Sequence, residues 1–202
     1  KFILENPEVI LKSLQNFEEK KAKEQEVTNQ KIINENLESL TDSSNGLFDG
    51  NINSKKIVVK FFDFNCSYCK KAHDDIQKLL KKEDVKVIYK NFPILSENSV
   101  FLAKLGIFIA EKDIDSFNSF YKMINENKGR VSKEKLSEIT KKLGVNLDEL
   151  NNEQVNSRLE KKLKEDVDLA NKLGLRGTPA FVVGNEIIFG YVPADELLNK
   201  IN

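Results

Sequence analysis

The chain has 202 residues, of which 40% are hydrophobic and 32% are charged, with 32 basic and 32 acidic side chains. This length allows one domain of about 150 to 170 residues and an appendage. A net charge of zero argues against a general nucleic-acid binder, because such a protein needs a basic face. No apolar run approaches the roughly 20 residues of a membrane span.

The first residue and the cysteine content bear on the compartment. The chain starts at Lys1 without a methionine and shows no signal peptide, which is typical of a processed or trimmed protein. Its only cysteines are Cys66 and Cys69. Confining cysteines to one pair avoids mispairing in an oxidising compartment, so we expect an exported protein whose signal peptide has been removed.

The N-terminal segment predicts a helix with an apolar seam. Asn6 is a suitable cap and Pro7 a suitable first helical residue. Four apolar residues at heptad-like spacing define the seam: Ile3, Ile10, Leu14 and Phe17. The following stretch, residues 18–26, is almost wholly charged and predicts a solvated helix or a flexible connector.

This charged stretch separates the seam from the rest of the chain. The seam has nothing of its own to bury against, so we predict that residues 1–30 form an oligomerisation stalk. Residues 31–202 are then the main domain. Folding of the segment back onto its own domain is the alternative, since two heptads are a short coiled-coil signal.

The first half of the main domain predicts a strand, helix, strand unit. Residues 32–40 predict a helix docked on the domain, and an extended piece is expected around Leu47. Residues 57–62 are β-branched and aromatic, the pattern of a strand buried on both faces. Residues 85–92 predict a second strand, and a right-handed crossover joins the two.

The crossover helix starts at the cysteine pair. Its apolar positions recur at three- and four-residue steps: Cys69, Ala72, Ile76, Leu79 and Leu80. Cys66 therefore lies at the helix N-terminus, where unpaired N–H groups and the helix dipole favour a thiolate. We expect Cys66 to be largely ionised near neutrality and to attack disulfides, and Cys69 to resolve the mixed disulfide.

The cysteines could have two uses other than redox chemistry. Cys66, Cys69 and His73 could supply three zinc ligands, but structural zinc needs four and the chain has no second cysteine pair or histidine. A purely structural disulfide between Cys66 and Cys69 would close too short a loop to constrain the unfolded chain. Redox chemistry is the favoured reading.

The second half of the chain predicts a helical block and then a hairpin. The helices are expected at residues 98–111, 115–127, 132–143 and 153–173. Four aromatic residues in this block are expected in the core rather than in a binding groove: Phe108, Phe117, Phe120 and Tyr121. Phe181–Val183 and Glu186–Phe189 predict the hairpin, and Pro193 starts a closing helix.

Two motifs carry a family resemblance. The run Phe61–Lys70 and the run Gly177–Phe181, separated by a helical block, resemble the thioredoxin superfamily and specifically the DsbA-like thiol-disulfide proteins. The resemblance extends from about Gly50 to the C-terminus, and the N-terminal helical extension resembles the ScsC-type branch. It implies an α/β thioredoxin fold with a helical insertion at about 97–173, an N-terminal helical oligomerisation stalk, and a bacterial periplasmic location.

The resemblance also implies roles for individual residues. Cys66 resembles the nucleophile and Cys69 the resolving cysteine. Pro179 resembles the cis-proline beside the disulfide, and the backbone of Thr178 would pair with an extended substrate. An ordinary trans-proline turn is the alternative.

Several residues are expected to modulate the site because they depart from the family pattern. Lys60 stands where many relatives keep a buried acid that relays protons, so water or Asp63 would have to serve instead. Ser67 and Tyr68 replace the commoner Gly-Tyr between the cysteines and lack the histidine of strongly oxidising relatives. His73 matches a histidine of some isomerases, but a lone helical histidine is more often a partly exposed surface residue.

The resemblance therefore favours a homotrimeric disulfide isomerase acting on misoxidised or unfolded exported proteins. Cys66 would be kept reduced by a membrane-bound thiol reductase, without a cofactor, a metal or nucleic acid. One alternative is a monomeric dithiol oxidase that donates its disulfide. Another is a chaperone or a Cu(I)-binding module that uses the two thiolates.

Overall fold

The computed structural model describes residues 6–44, 46–127 and 129–201. Ile3 of the predicted seam lies outside these ranges. The helices are α1 (Glu8–Glu35), α2 (Leu37–Thr41), α3 (Ser67–Lys82), α4 (Glu97–Lys112), α5 (Ile114–Glu126), α6 (Lys133–Lys142), α7 (Glu153–Lys172) and α8 (Ala194–Ile201). The strands are β1 (Phe48–Gly50), β2 (Ile57–Phe62), β3 (Lys86–Asn91), β4 (Ala180–Val183) and β5 (Glu186–Phe189).

The five strands form one mixed sheet in the order β1-β3-β2-β4-β5. β2 pairs in parallel with β3, from Ile57 opposite Lys86 to Phe62 opposite Asn91. The other three pairings are antiparallel. The predicted strand, helix, strand unit is therefore confirmed, and it places β2 and the segment that follows it at the centre of the sheet.

The sheet separates two apolar clusters because successive side chains of a strand point to opposite faces. Val58 and Phe62 of β2 belong to the cluster that α3, α4 and α5 cover. Val59 and Phe61 belong to a second cluster, which the end of α1, α2 and the end of α7 cover. Lys60 shares the face of Val58 and Phe62, so it points toward the helix that begins at the cysteines.

The region predicted as one docking helix at residues 32–40 differs in the structure. α1 continues from the N-terminal segment through Glu35, the helix is interrupted at Asn36, and α2 follows. The Asn36 backbone leaves the helical conformation, with φ −118°, and its side-chain amide donates a hydrogen bond to the Ile32 carbonyl at 2.8 Å. Ile33 and Leu40 are buried on either side of the break.

The part of α1 that precedes this docking contact is helical and exposed. It begins at Glu8, one residue later than predicted. The three described seam residues Ile10, Leu14 and Phe17 are 46%, 53% and 55% exposed. The charged stretch is helical too, which confirms the solvated helix rather than the flexible connector. Among the residues described, no helix combines the length and apolarity that crossing a membrane requires.

The helical block and the hairpin follow the predictions closely. α4 to α7 match the four predicted helices to within two residues, and the 3-10 helix Leu147–Asn151 was not predicted. The predicted core aromatic residues are at most 3% exposed: Phe108, Phe117, Phe120 and Tyr121. β4 and β5 pair around the turn between Val183 and Glu186, as expected. α4, α5 and α6 therefore cover the face of the sheet that carries Lys60, while the end of α7 packs on the other face.

Candidate functional site

Cys66, the predicted nucleophile, lies at the end of the turn that joins β2 to α3. Cys66 is the N-cap of α3, and the Cys69 backbone N–H donates to its Sγ at 3.3 Å. The preceding turn is braced by the buried Asp63 carboxylate, which accepts from the backbone N–H groups of Asn65 at 2.8 Å and Leu95 at 3.0 Å. The predicted position of Cys66 at a helix N-terminus is confirmed.

This environment favours the thiolate of Cys66. Its pKa is lowered from 9.0 to about 6, chiefly by a hydrogen bond from the Cys69 side chain. Hydrogen bonds from the Thr178 side chain and from the Cys69 and Tyr68 backbones also lower this pKa, while burial raises it. The Sγ remains 3.2 Å from the Thr178 carbonyl oxygen, to which a protonated Cys66 donates. Most Cys66 is therefore ionised at pH 7.

The second cysteine has the opposite preference. Cys69 is 1% exposed, and burial raises the pKa of its thiol well above the ordinary value. The hydrogen bond to Cys66 raises this pKa further, whereas the charge of Lys60 lowers it. Both cysteines are free thiols in this structure. The pair thus combines one reactive thiolate with one buried thiol that needs help to ionise.

The Gly177–Phe181 motif lies beside the cysteine turn, because it leads into β4, which pairs with β2. The Thr178–Pro179 peptide bond is cis. Thr178 is half-buried and Pro179 is buried. The Gly190 N–H donates to the Pro179 carbonyl at 2.9 Å, which fixes the motif to the end of the hairpin. Folding thus brings together two segments that are 112 residues apart in the chain.

Lys60 lies directly beneath the cysteine turn. Its side chain is 0% exposed, and its Nζ donates to the Cys69 carbonyl at 3.1 Å and to the Tyr121 hydroxyl at 3.0 Å. Burial lowers the pKa of Lys60 to about 8, and the cysteine charges oppose this decrease. The sequence singled out Lys60 but not Tyr121, because helical spacing identifies a core ring without showing what its hydroxyl contacts.

His73 differs from the partly exposed surface residue that was predicted. It is 3% exposed, since it lies one turn after Cys69 on the buried side of α3. Its ring stands edge-on to Tyr121 at 5.5 Å between centroids. Burial lowers the pKa of His73 to about 4, and the charges of Lys60 and Lys122 lower it further. The imidazole is therefore neutral at physiological pH.

Several side chains around the cysteine turn are exposed, and some of them are apolar. Ser67 and Tyr68 are exposed, and the Tyr68 side chain is 62% exposed. Leu95 and Phe189, on segments that contact the site, are 51% and 60% exposed. Across the ranges that the structure covers, no group of three His, Cys, Asp or Glu side chains is arranged to hold a metal ion. Cys66 itself is only 7% exposed, so these exposed side chains surround a largely buried sulfur.

A mixed sheet with a parallel β2-α3-β3 unit, an antiparallel hairpin and a dithiol at a helix start beside a cis-proline defines a thioredoxin-fold dithiol protein. The chain belongs to the DSBA-like thioredoxin domain family, whose model matches residues 57–202. The predicted family resemblance and fold class are therefore confirmed, with the four helices α4 to α7 inserted between β3 and β4.

Individual relatives agree with this assignment. The probable disulfide bond formation protein D of Bacillus cereus is 30% identical over an alignment of 141 residues, and the match covers 63% of this chain and 65% of that protein. The chain thus matches less than two thirds of that relative's length. The thiol-disulfide exchange protein α-DsbA2 of Wolbachia pipientis is 26% identical with a TM-score of 0.79, covering 88% of this chain and 96% of that one. Proteus mirabilis ScsC in a compact conformation is 25% identical with a TM-score of 0.71, covering 95% and 94%.

Proposed function

We propose that the protein catalyses thiol-disulfide exchange on exported proteins, with Cys66 as the nucleophile and Cys69 as the resolving cysteine. The observation that carries this proposal is the opposite ionisation of two cysteines one helical turn apart. A thiolate is the attacking species in disulfide exchange, and Cys66 is the cysteine that holds one at neutral pH.

The reaction has two steps. The Cys66 thiolate attacks one sulfur of a substrate disulfide, and the other substrate sulfur leaves as a thiolate. The Cys69 thiolate then attacks Cys66, which restores the second substrate thiol and leaves a Cys66–Cys69 disulfide. In an isomerisation a different cysteine thiolate of the substrate instead attacks the substrate sulfur of the mixed disulfide. A new substrate disulfide forms, Cys66 leaves as a thiolate, and the enzyme returns to its dithiol form.

Substrate is proposed to bind along the Thr178 segment. An extended peptide can add to an exposed backbone edge through main-chain hydrogen bonds. The Thr178 carbonyl lies 3.2 Å from the Cys66 Sγ, so a peptide paired there would hold its disulfide against the nucleophile. The exposed side chains of Tyr68 and Phe189 would contact its apolar residues.

We further propose that the physiological direction is isomerisation. The pKa of Cys66, about 6, falls between the values of about 7 for thioredoxin and about 3.5 for DsbA. A lower pKa of the nucleophile stabilises the reduced form and makes the pair more oxidising. An intermediate value favours a protein that can both break and re-form disulfides, kept reduced in the periplasm by a membrane-bound thiol reductase.

The companion proposal is a homotrimer joined through residues 1–30. Its support is the exposed seam of α1, because apolar side chains at helical spacing gain by packing against another helix. Several active sites on one assembly would act together on a misfolded substrate at high effective concentration. Residues 31–202 would then be the catalytic domain.

Two measurements separate isomerase from oxidase. Refolding of a scrambled disulfide protein should be accelerated by the reduced enzyme and not by its Cys66→Ser variant. A redox titration should give a potential nearer to about −180 mV, as for protein disulfide isomerase, than to about −120 mV, as for DsbA, a difference of roughly 2.8 kcal/mol. Inactivity in refolding together with a potential near the DsbA value would favour the monomeric oxidase.

The assembly is tested by solution mass. The full chain should have three times the monomer mass, and deletion of residues 1–30 should give a monomer. Phe17→Glu should dissociate the assembly, whereas Lys12→Glu, at an exposed position on the face of α1 opposite the seam, should not. A monomeric mass for both the full chain and the deletion variant would refute the stalk.

A further inference from the structure

The buried lysine beneath the cysteine turn has a specific use in the proposed reaction. We propose that Lys60 is a positioning residue for the resolving step: its ammonium group, held by Tyr121, stabilises the thiolate of Cys69 as that sulfur displaces the substrate. The inference rests on the proposed exchange function and adds to it the group that activates the second cysteine.

The geometry confines the lysine to this place. The Lys60 Nζ is held between the Cys69 carbonyl at 3.1 Å and the Tyr121 hydroxyl at 3.0 Å. The same nitrogen lies 5.6 Å from the centroid of the Tyr121 ring, whose face attracts a cation. The side chain is 0% exposed, so it cannot turn toward solvent without opening the core.

The second observation is that this buried cation lacks an ordinary counter-charge. Over the described part of the chain, no carboxylate lies within ion-pair distance of Lys60. The other buried lysine of the sheet, Lys90, is 3.7 Å from the Asp166 carboxylate. Buried charges are normally paired, because an isolated charge is costly to take out of water. The cysteine thiolates are the anions that oppose the loss of the Lys60 charge most strongly.

The surroundings of Lys60 include other titratable or charged groups on each packed element. They are Cys66, Cys69, His73 and Asp74 on α3, Tyr121 and Lys122 on α5, Tyr89 on β3 and Asp49 on β1. Asp74 is exposed, so solvent screens its charge. Burial keeps His73 neutral and raises the pKa values of Tyr89 and Tyr121, so these groups stay uncharged.

The resolving step balances without an added oxidant or reductant. Cys69 loses its thiol proton, its sulfur forms a bond to the Cys66 sulfur, and the bond between Cys66 and the substrate sulfur breaks. The electron pair leaves with the substrate sulfur, which takes up one proton. Lys60 stays protonated throughout. Its charge lowers the free energy of the thiolate that forms transiently in the buried site.

The size of the effect follows from the usual influence of one neighbouring charge. The Lys60 charge lowers the pKa of Cys69, and a nearby opposite charge lowers a pKa by about 1 to 3 units. Each unit changes the thiolate fraction about tenfold, but a less basic thiolate is also a poorer nucleophile, so the net gain is about threefold per unit. Removing the charge should therefore slow the resolving step by about 3- to 30-fold.

The test uses the reduced full-length protein and the chromogenic disulfide dithiobis(nitrobenzoate) in stopped flow. The first nitrothiophenolate released reports attack by Cys66, and the second reports attack by Cys69. In Lys60→Met the first phase should keep its rate within about twofold, and the second should slow by about 3- to 30-fold. Lys90→Met, which removes the other buried lysine, should change neither phase.

A conservative variant separates charge from packing. Lys60→Gln retains a hydrogen-bond donor without the charge, so its second phase should be as slow as that of Lys60→Met. If Lys60→Gln restored the wild-type rate, the lysine would be structural and the inference would be wrong. Should both variants fail to fold, Tyr121→Phe keeps the ring, frees the ammonium group and should slow the second phase alone.

The pH profile gives an independent readout. The rate of the second phase should rise with pH and flatten near pH 8 in the wild type, since the Lys60 charge is lost there. In Lys60→Met it should continue to rise with the ionisation of Cys69. Identical profiles would overturn the role of Lys60 while leaving exchange intact. Absence of the first phase from the wild type would instead overturn the proposed function.

Discussion

The two sides of the cysteine turn differ more than their sequence separation suggests. On the outer side, Cys66 meets backbone N–H groups and the Thr178 segment, and its pKa falls to about 6. On the inner side, Cys69 lies with Lys60 and His73 in a buried polar cluster, and its pKa rises well above the ordinary value. Two identical side chains three residues apart thus acquire different reactivities from hydrogen bonding and burial alone.

The buried polar cluster on the inner side is expected to lower the stability of the fold. Lys60 and His73 are both buried, and burial lowers the pKa of each. Neither side chain stabilises the core by its burial, because moving a charge or an unpaired polar atom out of water costs free energy. The buried His73 Nδ1 has no hydrogen-bond partner among the described residues. Such placements are expected where a protein retains polar groups for chemistry at the expense of stability.

The largest expected effect removes the outer thiolate. Cys66→Ser should lower the rate of disulfide reduction in a test protein by about a thousandfold or more, because a hydroxyl with no adjacent base is a poor nucleophile at neutral pH. Reduction of a disulfide-bonded protein, followed by gel shift, measures this rate. Ser157→Ala, at an exposed position of α7 away from the cysteines, should stay near wild type. Substantial turnover by Cys66→Ser would contradict the assignment of the nucleophile.

The ionisation of Cys66 can be measured directly. Its alkylation by iodoacetamide should accelerate as pH rises and level off above a midpoint near 6, since its pKa is lowered to about 6. At pH 6 the reaction should exceed that of a free thiol, which titrates near 8.5, by roughly a hundredfold before correction for nucleophilicity. Mass spectrometry assigns the modified residue. A midpoint near 8.5 would remove the difference between the two sides of the turn.

The inner side should make the protein sensitive to acid. The folded-state pKa of His73 is lowered to about 4 from 6.5, so the unfolded state binds more protons between these values. The contribution of His73 to the free energy of unfolding should therefore be fully present above pH 6.5. The free energy of unfolding should fall by about 3 kcal/mol because of this group as pH falls to 4. His73→Phe removes the titrating group, and the chain has no other histidine. Urea unfolding of both proteins at pH 7 and pH 4.5 should show a smaller acid loss in the variant; equal losses would contradict a buried neutral His73.

The smallest expected effect tests how the two cysteines communicate. The leading cause of the low pKa of Cys66 is the hydrogen bond from the Cys69 side chain. A hydrogen bond to a charged group contributes about 1.5 to 3 kcal/mol, so Cys69→Ala should raise the pKa of Cys66 by about one to two units. Alkylation at pH 6 should slow several-fold and alkylation at pH 8 should change little. Cys69→Ser, which keeps a donor, should lie closer to wild type, and an unchanged midpoint in Cys69→Ala would assign the pKa to the helix start alone.

Much of this organisation is readable in the sequence because it is local. The β-branched run at residues 57–62 and the three- and four-residue apolar steps after Cys66 are properties of a strand and a helix in themselves. They were sufficient to place Cys66 at a helix N-terminus and to predict the hairpin. The Gly177–Phe181 motif added the family, since it matches a known pattern at a known place in the order of elements.

The remainder depended on which distant residues meet. Tyr121 contacts Lys60 across 61 positions of the chain, and Thr178 reaches Cys66 across 112. A lone helical histidine is more often a partly exposed surface residue, which is why the sequence predicts an exposed His73, yet α5 covers it in the fold. Periodicity tells which face of a helix is buried, but the charge state of a buried group depends on the atoms that replace its water. Those atoms come from other segments, and only the tertiary structure brings them together.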